Sequence, residues 1–164
     1  RVAVAAASDL KFAMDMLVKE FEEQHPEIDV ETSFGSSGTF FAQIMQKAPF
    51  DIFFSADVSY PNQLVEKGLA DASTKQVYAI GQIVIWVRNE SSLDLAKPGM
   101  ESLLDPSVRT IALANPKHAP YGRVAMAALE KSGLIDRVRE RLALGENVSQ
   151  AAQFVDSGSA DVGI

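Results

Sequence analysis

The sequence has 164 residues, 47% of them hydrophobic, so it can bury a real core either as one domain or as two small lobes. Its formal net charge is −7, and its 15 Lys and Arg residues are scattered, which argues against a nucleic-acid or anionic-membrane surface. It has no Cys, which excludes thiol catalysis, zinc–thiolate sites and disulfides, and its apolar runs are too short to span a bilayer.

The first part of the chain repeats a strand followed by a helix. The apolar run Val2–Ala7 predicts a strand, and apolar residues at helical spacing follow it. Residues 28–34 alternate as a second strand before a second helical segment, and residues 49–55 predict a third, buried strand before a helix at residues 61–67. Three such units in succession predict a parallel sheet flanked by helices.

A linker of different composition comes next. Residues 77–80 and 82–87 are almost all β-branched or aromatic, and we interpret them as extended segments that cross between two lobes. The chain is therefore predicted to be α/β, with lobe 1 at residues 1–79, lobe 2 at residues 80–164 and a hinge near residues 78–81.

The second lobe returns to the strand and helix pattern. Residues 110–114 predict a strand, and residues 115–122 form a loop that contains two prolines. Three helices are then predicted, at residues 124–131, 135–142 and 149–156. A last strand is predicted to begin at Asp161.

Small hydroxyl residues stand between a buried strand and a helix at Ser8 and again at Ser36 and Ser37. Helix N-termini present unpaired N–H groups and a partial positive charge, so a serine there can help to hold an anion without any cation. Ordinary N-capping explains each serine taken alone, whereas two such turns at equivalent strand ends leave N-capping and an anion site as equal alternatives. Asp9 would repel a dianion, and we expect its carboxylate to point outward or to cap its own helix.

The proline-containing loop can also position an anion donor. Its two prolines fix a path that delivers Tyr121 and Gly122 to a helix start, where a backbone N–H can be aimed. Val148 follows a second turn before another helix and could aim one more N–H. A plain strand-to-helix connection remains the alternative for both segments.

The motifs of catalysis are missing from the sequence. Its two histidines, His25 and His118, have no motif partner, and no nucleophile elbow, phosphate loop or His–Glu metal spacing occurs. We therefore predict that the protein is not an enzyme and needs no cofactor.

Four segments, taken in order, carry a resemblance to a known family. They are AAAS at residues 5–8, SFGSSG at residues 33–38, APFDIFFSAD at residues 48–57 and NPKHAPYG at residues 115–122. Together they resemble the periplasmic molybdate-binding receptors of ABC importers, which have the two-lobed type II periplasmic-binding-protein fold. The likeness runs through the whole chain, and the resemblance implies that the elements completing the C-terminal part of lobe 1 are absent from it.

The resemblance implies a set of ligand-binding residues. Ser8 and Ser37 would each give a hydroxyl and a backbone N–H, and Tyr121 and Val148 would each give a backbone N–H. Further candidates beside them are Asp9, Ser36 and Gly122. The only metal implied is the molybdenum of the oxyanion.

The resemblance also implies a function. The protein would be a monomeric periplasmic receptor, with its signal peptide removed, that captures molybdate or tungstate for the membrane permease of an ABC importer. It would bind no nucleic acid and would not insert into the membrane. The alternatives are a receptor for sulfate or another small anion, and the effector-sensing domain of a transcription regulator, which would need a DNA-binding helix-turn-helix that does not precede Val2.

Overall fold

The computed structural model describes residues 1–95 and 99–164, which divide into two compact units. Unit 1 comprises Arg1–Gly81, and unit 2 comprises Gln82–Ile164. The predicted lobe boundary, after residue 79, lies just before this division, and the hinge near residues 78–81 stays a prediction. Within the described ranges, no helix is both long enough and apolar enough to cross a bilayer.

Unit 1 is a three-stranded parallel sheet with a helix after each strand. Its elements are β1 (Val2–Ala7), α1 (Lys11–Gln24), β2 (Val30–Gly35), α2 (Ser37–Met45), β3 (Ile52–Phe54) and α3 (Ser59–Glu66). The strand order is β2-β1-β3, so the first strand lies in the middle of the sheet. This central position shields Val4 and the three alanines that follow it, which are at most 3% exposed.

Unit 2 has the same sheet topology. Its elements are β4 (Ile111–Ala114), α4 (Pro120–Lys131), α5 (Ile135–Val138), β5 (Leu142–Gly145), α6 (Val148–Asp156) and β6 (Val162–Gly163). The order is β5-β4-β6, all parallel, and the central strand β4 is at most 1% exposed along its length. Each unit therefore places the carboxyl ends of its strands on one edge, where the following helices begin.

A strand stands where the sequence predicted the end of a helix. The predicted helix at residues 135–142 stops early, because α5 ends at Val138, a 3-10 turn covers Arg139–Arg141, and β5 begins at Leu142. The Leu-Ala-Leu run of β5 favours helices intrinsically, but it pairs with the whole length of β4. Strand pairing outweighs helix propensities, which differ by at most about 0.7 kcal/mol per residue among ordinary residues. The helix prediction is wrong here.

The third strand is shorter and less buried than predicted. The predicted strand covered residues 49–55, whereas β3 covers only Ile52–Phe54, and Ile52 is 46% exposed. The strand order puts β3 at an edge of the sheet, where one side has no neighbouring strand. The prediction of a buried strand is therefore wrong in its burial.

The linker residues 77–87 form no regular strand, although one of them is anchored. Trp86 makes an antiparallel bridge with Gly163, in which each backbone N–H donates to the other residue's carbonyl, at 3.0 and 2.9 Å. The indole packs against the buried cluster that contains Ala112 and Val155. Trp86 is the only tryptophan of the chain and therefore reports on unit 2.

Helix α1 has one buried and one exposed apolar side. Met14 packs with Leu10 in the core of unit 1. Phe12, Met16 and Leu17 are 84%, 75% and 59% exposed. Of the apolar residues at helical spacing, only some therefore face the core.

Candidate functional site

Two serine-bearing turns lie next to each other at the carboxyl edge of the unit 1 sheet. Ser8 directly follows β1, and Ser36 directly follows β2. Because Ala7 pairs with Gly35 across these parallel strands, the residues after them emerge side by side. Ser8 is 6% exposed and Ser36 is 5% exposed, so both serines are buried.

The two adjacent serines make different contacts. The Oγ of Ser36 caps α2, because it accepts from the backbone N–H of Thr39 at 3.2 Å and lies 2.7 Å from Thr39 Oγ1. Ser37 is fully buried, and its Oγ accepts a hydrogen bond of 2.9 Å from the backbone N–H of Ala56. A hydroxyl that has accepted one hydrogen bond can still donate its own proton. Ser37 therefore combines burial with a capacity to donate, whereas Ser36 serves the helix cap.

The hydroxyl of Tyr78 lies at the same edge of the sheet. Tyr78 was not among the ligand-binding residues predicted from the sequence. Its hydroxyl donates to the backbone oxygen of Ser55, directly after β3, at 3.0 Å. Burial, and secondarily the charge of the exposed Asp9, raise the pKa of the Tyr78 phenol above its ordinary value. The phenol therefore stays protonated and able to donate near neutral pH. Ser55 could have been found by its position at the end of the third predicted strand.

In unit 2, the proline-containing loop follows the central strand β4. A hydrogen bond closes this loop, because the N–H of Ala119 donates to the carbonyl of Asn115 at 2.9 Å. Pro120 is the first residue of α4. Tyr121 and Gly122 therefore lie in the first turn of α4, where backbone N–H groups have no partner within the helix. Gly122 is buried against β4, and a Cβ atom added there would lie 2.0 Å from the carbonyl oxygen of Ala114.

The second turn of unit 2 lies beside this loop. Ala114 pairs with Gly145, and the N–H of Asn115 donates to the carbonyl of Gly145 at 2.7 Å. Val148 is the first residue of α6, so its N–H lies at a helix start, as that of Tyr121 does. A further contact joins the two turns, because His118 Nε2 lies 3.4 Å from Glu146 Oε1.

Asn147 fixes the start of α6. Its side-chain oxygen accepts from the backbone N–H of Gln150 at 3.0 Å, while the Gln150 side chain accepts from the N–H of Glu146 at 2.6 Å. We expect Asn147→Ala to destabilise unit 2 by about 1 kcal/mol, the usual cost of losing an N-cap. Urea unfolding followed by Trp86 fluorescence measures this loss. Asn147→Asp keeps an acceptor and should retain the wild-type stability; an equal loss in both variants would contradict a capping role.

The donors predicted from the sequence at these two edges are hydroxyls and backbone amides. Lys11, in the first turn of α1, is held by Asp15 at 2.9 Å, and its ammonium lies 4.9 Å from the centroid of the Phe34 ring. Among the residues that the structure describes, no group of three or more His, Asp or Glu side chains could hold a metal ion. Helix N-termini and uncharged donors suit an anion, because they present N–H and O–H groups together with a partial positive charge.

Comparison with known proteins places the chain among solute receptors. It matches the family model described as bacterial extracellular solute-binding protein over residues 2–164. It is 37% identical over 131 residues to a molybdate-binding protein of Rhodobacter capsulatus, a match that covers 80% of this chain and 50% of the relative. It is 35% identical over 167 residues to a molybdate-binding protein of Azotobacter vinelandii, covering 99% of this chain and 63% of the relative. The chain thus spans about half to two thirds of the length of these relatives.

A solved structure shows the same fold. The periplasmic molybdate-binding protein of Azotobacter vinelandii matches with a TM-score of 0.91 and 34% sequence identity, over 99% of this chain and 70% of that one. The predicted α/β fold, with mainly parallel sheets flanked by helices, is therefore confirmed.

Proposed function

Since the chain belongs to the family of bacterial extracellular solute-binding proteins, we propose that the protein captures a tetrahedral oxyanion, molybdate or tungstate, for an ABC importer. The observation that carries this proposal is the position of Ser8 and Ser37 at the carboxyl edge of a parallel sheet, where helices begin. Two relatives described as molybdate-binding proteins support the choice of ligand. The prediction that the protein is not an enzyme agrees with its membership of a solute-binding family.

In this proposal four residues donate to the oxyanion. Ser8 and Ser37 supply hydroxyls and backbone N–H groups, and Tyr121 and Val148 supply backbone N–H groups from the first turns of α4 and α6. The support is that all four residues lie directly after a strand or at a helix start, on the carboxyl edge of their own sheet. Ser36 caps α2 and Gly122 packs against β4, so these two residues are assigned supporting roles. Asp9 is exposed and is not proposed as a donor.

A site made only of donors selects its ligand by protonation and size. Molybdate, tungstate and sulfate are dianions at neutral pH, whereas phosphate largely keeps a proton that needs an acceptor. Phosphate is therefore disfavoured because its O–H would be buried without a partner. Sulfate is smaller than the metal oxyanions, and donors fixed on strands and helix starts cannot close around it as well.

Titration with each oxyanion tests the proposal. We expect molybdate and tungstate to bind with similar affinity, sulfate to bind more weakly, and phosphate to bind about 10- to 100-fold more weakly than molybdate, the cost of one buried unsatisfied group. Calorimetry and Trp86 fluorescence, with the ligands in competition, measure these affinities. Phosphate binding as tight as molybdate binding would contradict the donor-only site, and sulfate binding the tightest would keep the receptor role but change its ligand.

The proposal extends to location and partner. The matching structure is described as periplasmic, which supports the proposal of a periplasmic receptor. The proposal includes delivery of the oxyanion to a membrane permease and action as a monomer. Stimulation of transport by the purified protein in vesicles that contain the permease tests the partner, and sedimentation of the protein with and without molybdate tests the monomer.

A further inference from the structure

One peptide group at the carboxyl edge of unit 1 is hydrogen-bonded at both of its ends. The peptide that joins Ser55 to Ala56 accepts at its carbonyl from the Tyr78 hydroxyl, at 3.0 Å. The N–H of the same peptide donates to Ser37 Oγ, at 2.9 Å. Tyr78 and Ser37 are thus connected through a single planar group, although neither residue is near the other in the sequence.

This arrangement gives the hydrogen bonds one direction. The Tyr78 hydroxyl donates to a carbonyl, the N–H of that peptide donates to the oxygen of Ser37, and the proton of Ser37 remains available to donate. Hydrogen bonds in such a chain polarise one another, so donation to the carbonyl makes the N–H a stronger donor. Accepting this stronger bond in turn makes the Ser37 hydroxyl a stronger donor to an anion.

Tyr78 is 47% exposed, and an aromatic contact holds its ring. Its ring meets the ring of Phe54, in β3, edge to face, with the centroids 5.5 Å apart and the planes at 73°. Phe54 directly precedes Ser55, so the ring contact holds the phenol beside the carbonyl that it binds. The raised pKa of the phenol keeps its proton in place near neutral pH.

We propose that Tyr78 is a positioning residue for the oxyanion site, acting through the Ser55–Ala56 peptide on the Ser37 hydroxyl. The inference rests on the proposed function and adds to it a residue that does not touch the ligand. Tyr78 also lies in the segment that leads out of unit 1, which ends at Gly81. The strength of the Ser37 hydrogen bond to the oxyanion therefore depends on how this segment is held against β3.

A double-mutant cycle in the full chain, with molybdate as the ligand, tests the inference. Tyr78→Phe keeps the ring on Phe54 but removes the hydroxyl, and we expect it to weaken molybdate binding about threefold to tenfold. In a Ser37→Ala background the same change should alter the affinity less than about twofold, because the connection to the ligand is already broken. Tyr60→Phe, whose ring packs on Phe41 instead, is the matched control and should leave the affinity unchanged.

A second measurement needs no ligand. In the NMR spectrum of the free protein, Tyr78→Phe should shift the Ala56 amide proton upfield, because the carbonyl of the same peptide loses its hydrogen bond. Tyr60→Phe should leave that resonance in place. A general loss of packing would instead move resonances throughout unit 1.

The outcomes separate the two proposals. The Tyr78 inference alone is overturned if the wild-type protein binds molybdate and Tyr78→Phe lowers the affinity by the same factor in both backgrounds. It is also overturned if the resonance of the Ala56 amide proton does not move in Tyr78→Phe. Wild-type protein that binds no oxyanion overturns the proposed function and this inference with it. A loss that disappears in the Ser37→Ala background, with the Ala56 shift, supports both.

Discussion

Replacing Gly122 with alanine is expected to destabilise unit 2 by at least about 3 kcal/mol and to abolish tight oxyanion binding. The added Cβ atom would lie 2.0 Å from the carbonyl oxygen of Ala114 and 2.7 Å from its carbonyl carbon. Both atoms belong to the backbone of the central strand β4, which cannot turn aside as a flexible side chain could. Helix α4 would have to move, and the amide of Tyr121 would move with it. Urea unfolding followed by Trp86 fluorescence, and calorimetry with molybdate, measure the two losses.

Gly133→Ala is the matched control for Gly122→Ala, because it adds the same atom to another glycine of unit 2. Gly133 has a φ of +71°, and nothing lies within 4 Å of the added atom. The left-handed backbone should cost about 1–2 kcal/mol and leave the binding of molybdate unchanged. If the two variants lost stability and affinity alike, the close approach of α4 to β4 would not be what positions Tyr121.

Ser37→Ala should weaken molybdate binding by about 1–3 kcal/mol, or about 5- to 150-fold, the usual cost of a buried hydrogen bond to a charge. Ser37 is fully buried, so water cannot replace its hydroxyl in the bound state. The substitution also leaves the N–H of Ala56 without its acceptor, which should lower the stability of unit 1 slightly. Isothermal calorimetry measures the affinity directly.

The control for Ser37→Ala is Ser33→Ala, which removes an exposed hydroxyl from β2, four residues earlier. Ser33→Ala should bind molybdate as the wild type does. Unchanged affinity in Ser37→Ala, with normal binding by the wild type, would remove Ser37 from the site.

The sequence was sufficient to predict where the serines lie because their position depends on local order. A polar residue that directly follows an apolar strand reaches the carboxyl edge of a parallel sheet whatever the packing details, and Ser8 follows β1 in this way. The same reasoning placed Tyr121 at a helix start, since Pro120 is favoured at the first helical position. The parallel α/β architecture followed from the repeated strand and helix pattern.

Contacts between distant residues could not be predicted in the same way. The bond from Ala56 to Ser37 joins residues 19 positions apart, and the bond from Tyr78 to Ser55 joins residues 23 positions apart. Both require that β3 pair with β1, a pairing that leaves no periodic signal in the sequence. Strand β5 was missed for a related reason, because its helix-favouring residues become a strand only through pairing with β4.

The first turns of α4 and α6 offer the backbone amides of Tyr121 and Val148 rather than their side chains. A main-chain donor survives almost any substitution of the residue that carries it. In the proposed site, the side chains at these two positions can therefore be substituted without loss of recognition. Gly122 cannot, because any side chain there would collide with the backbone of β4.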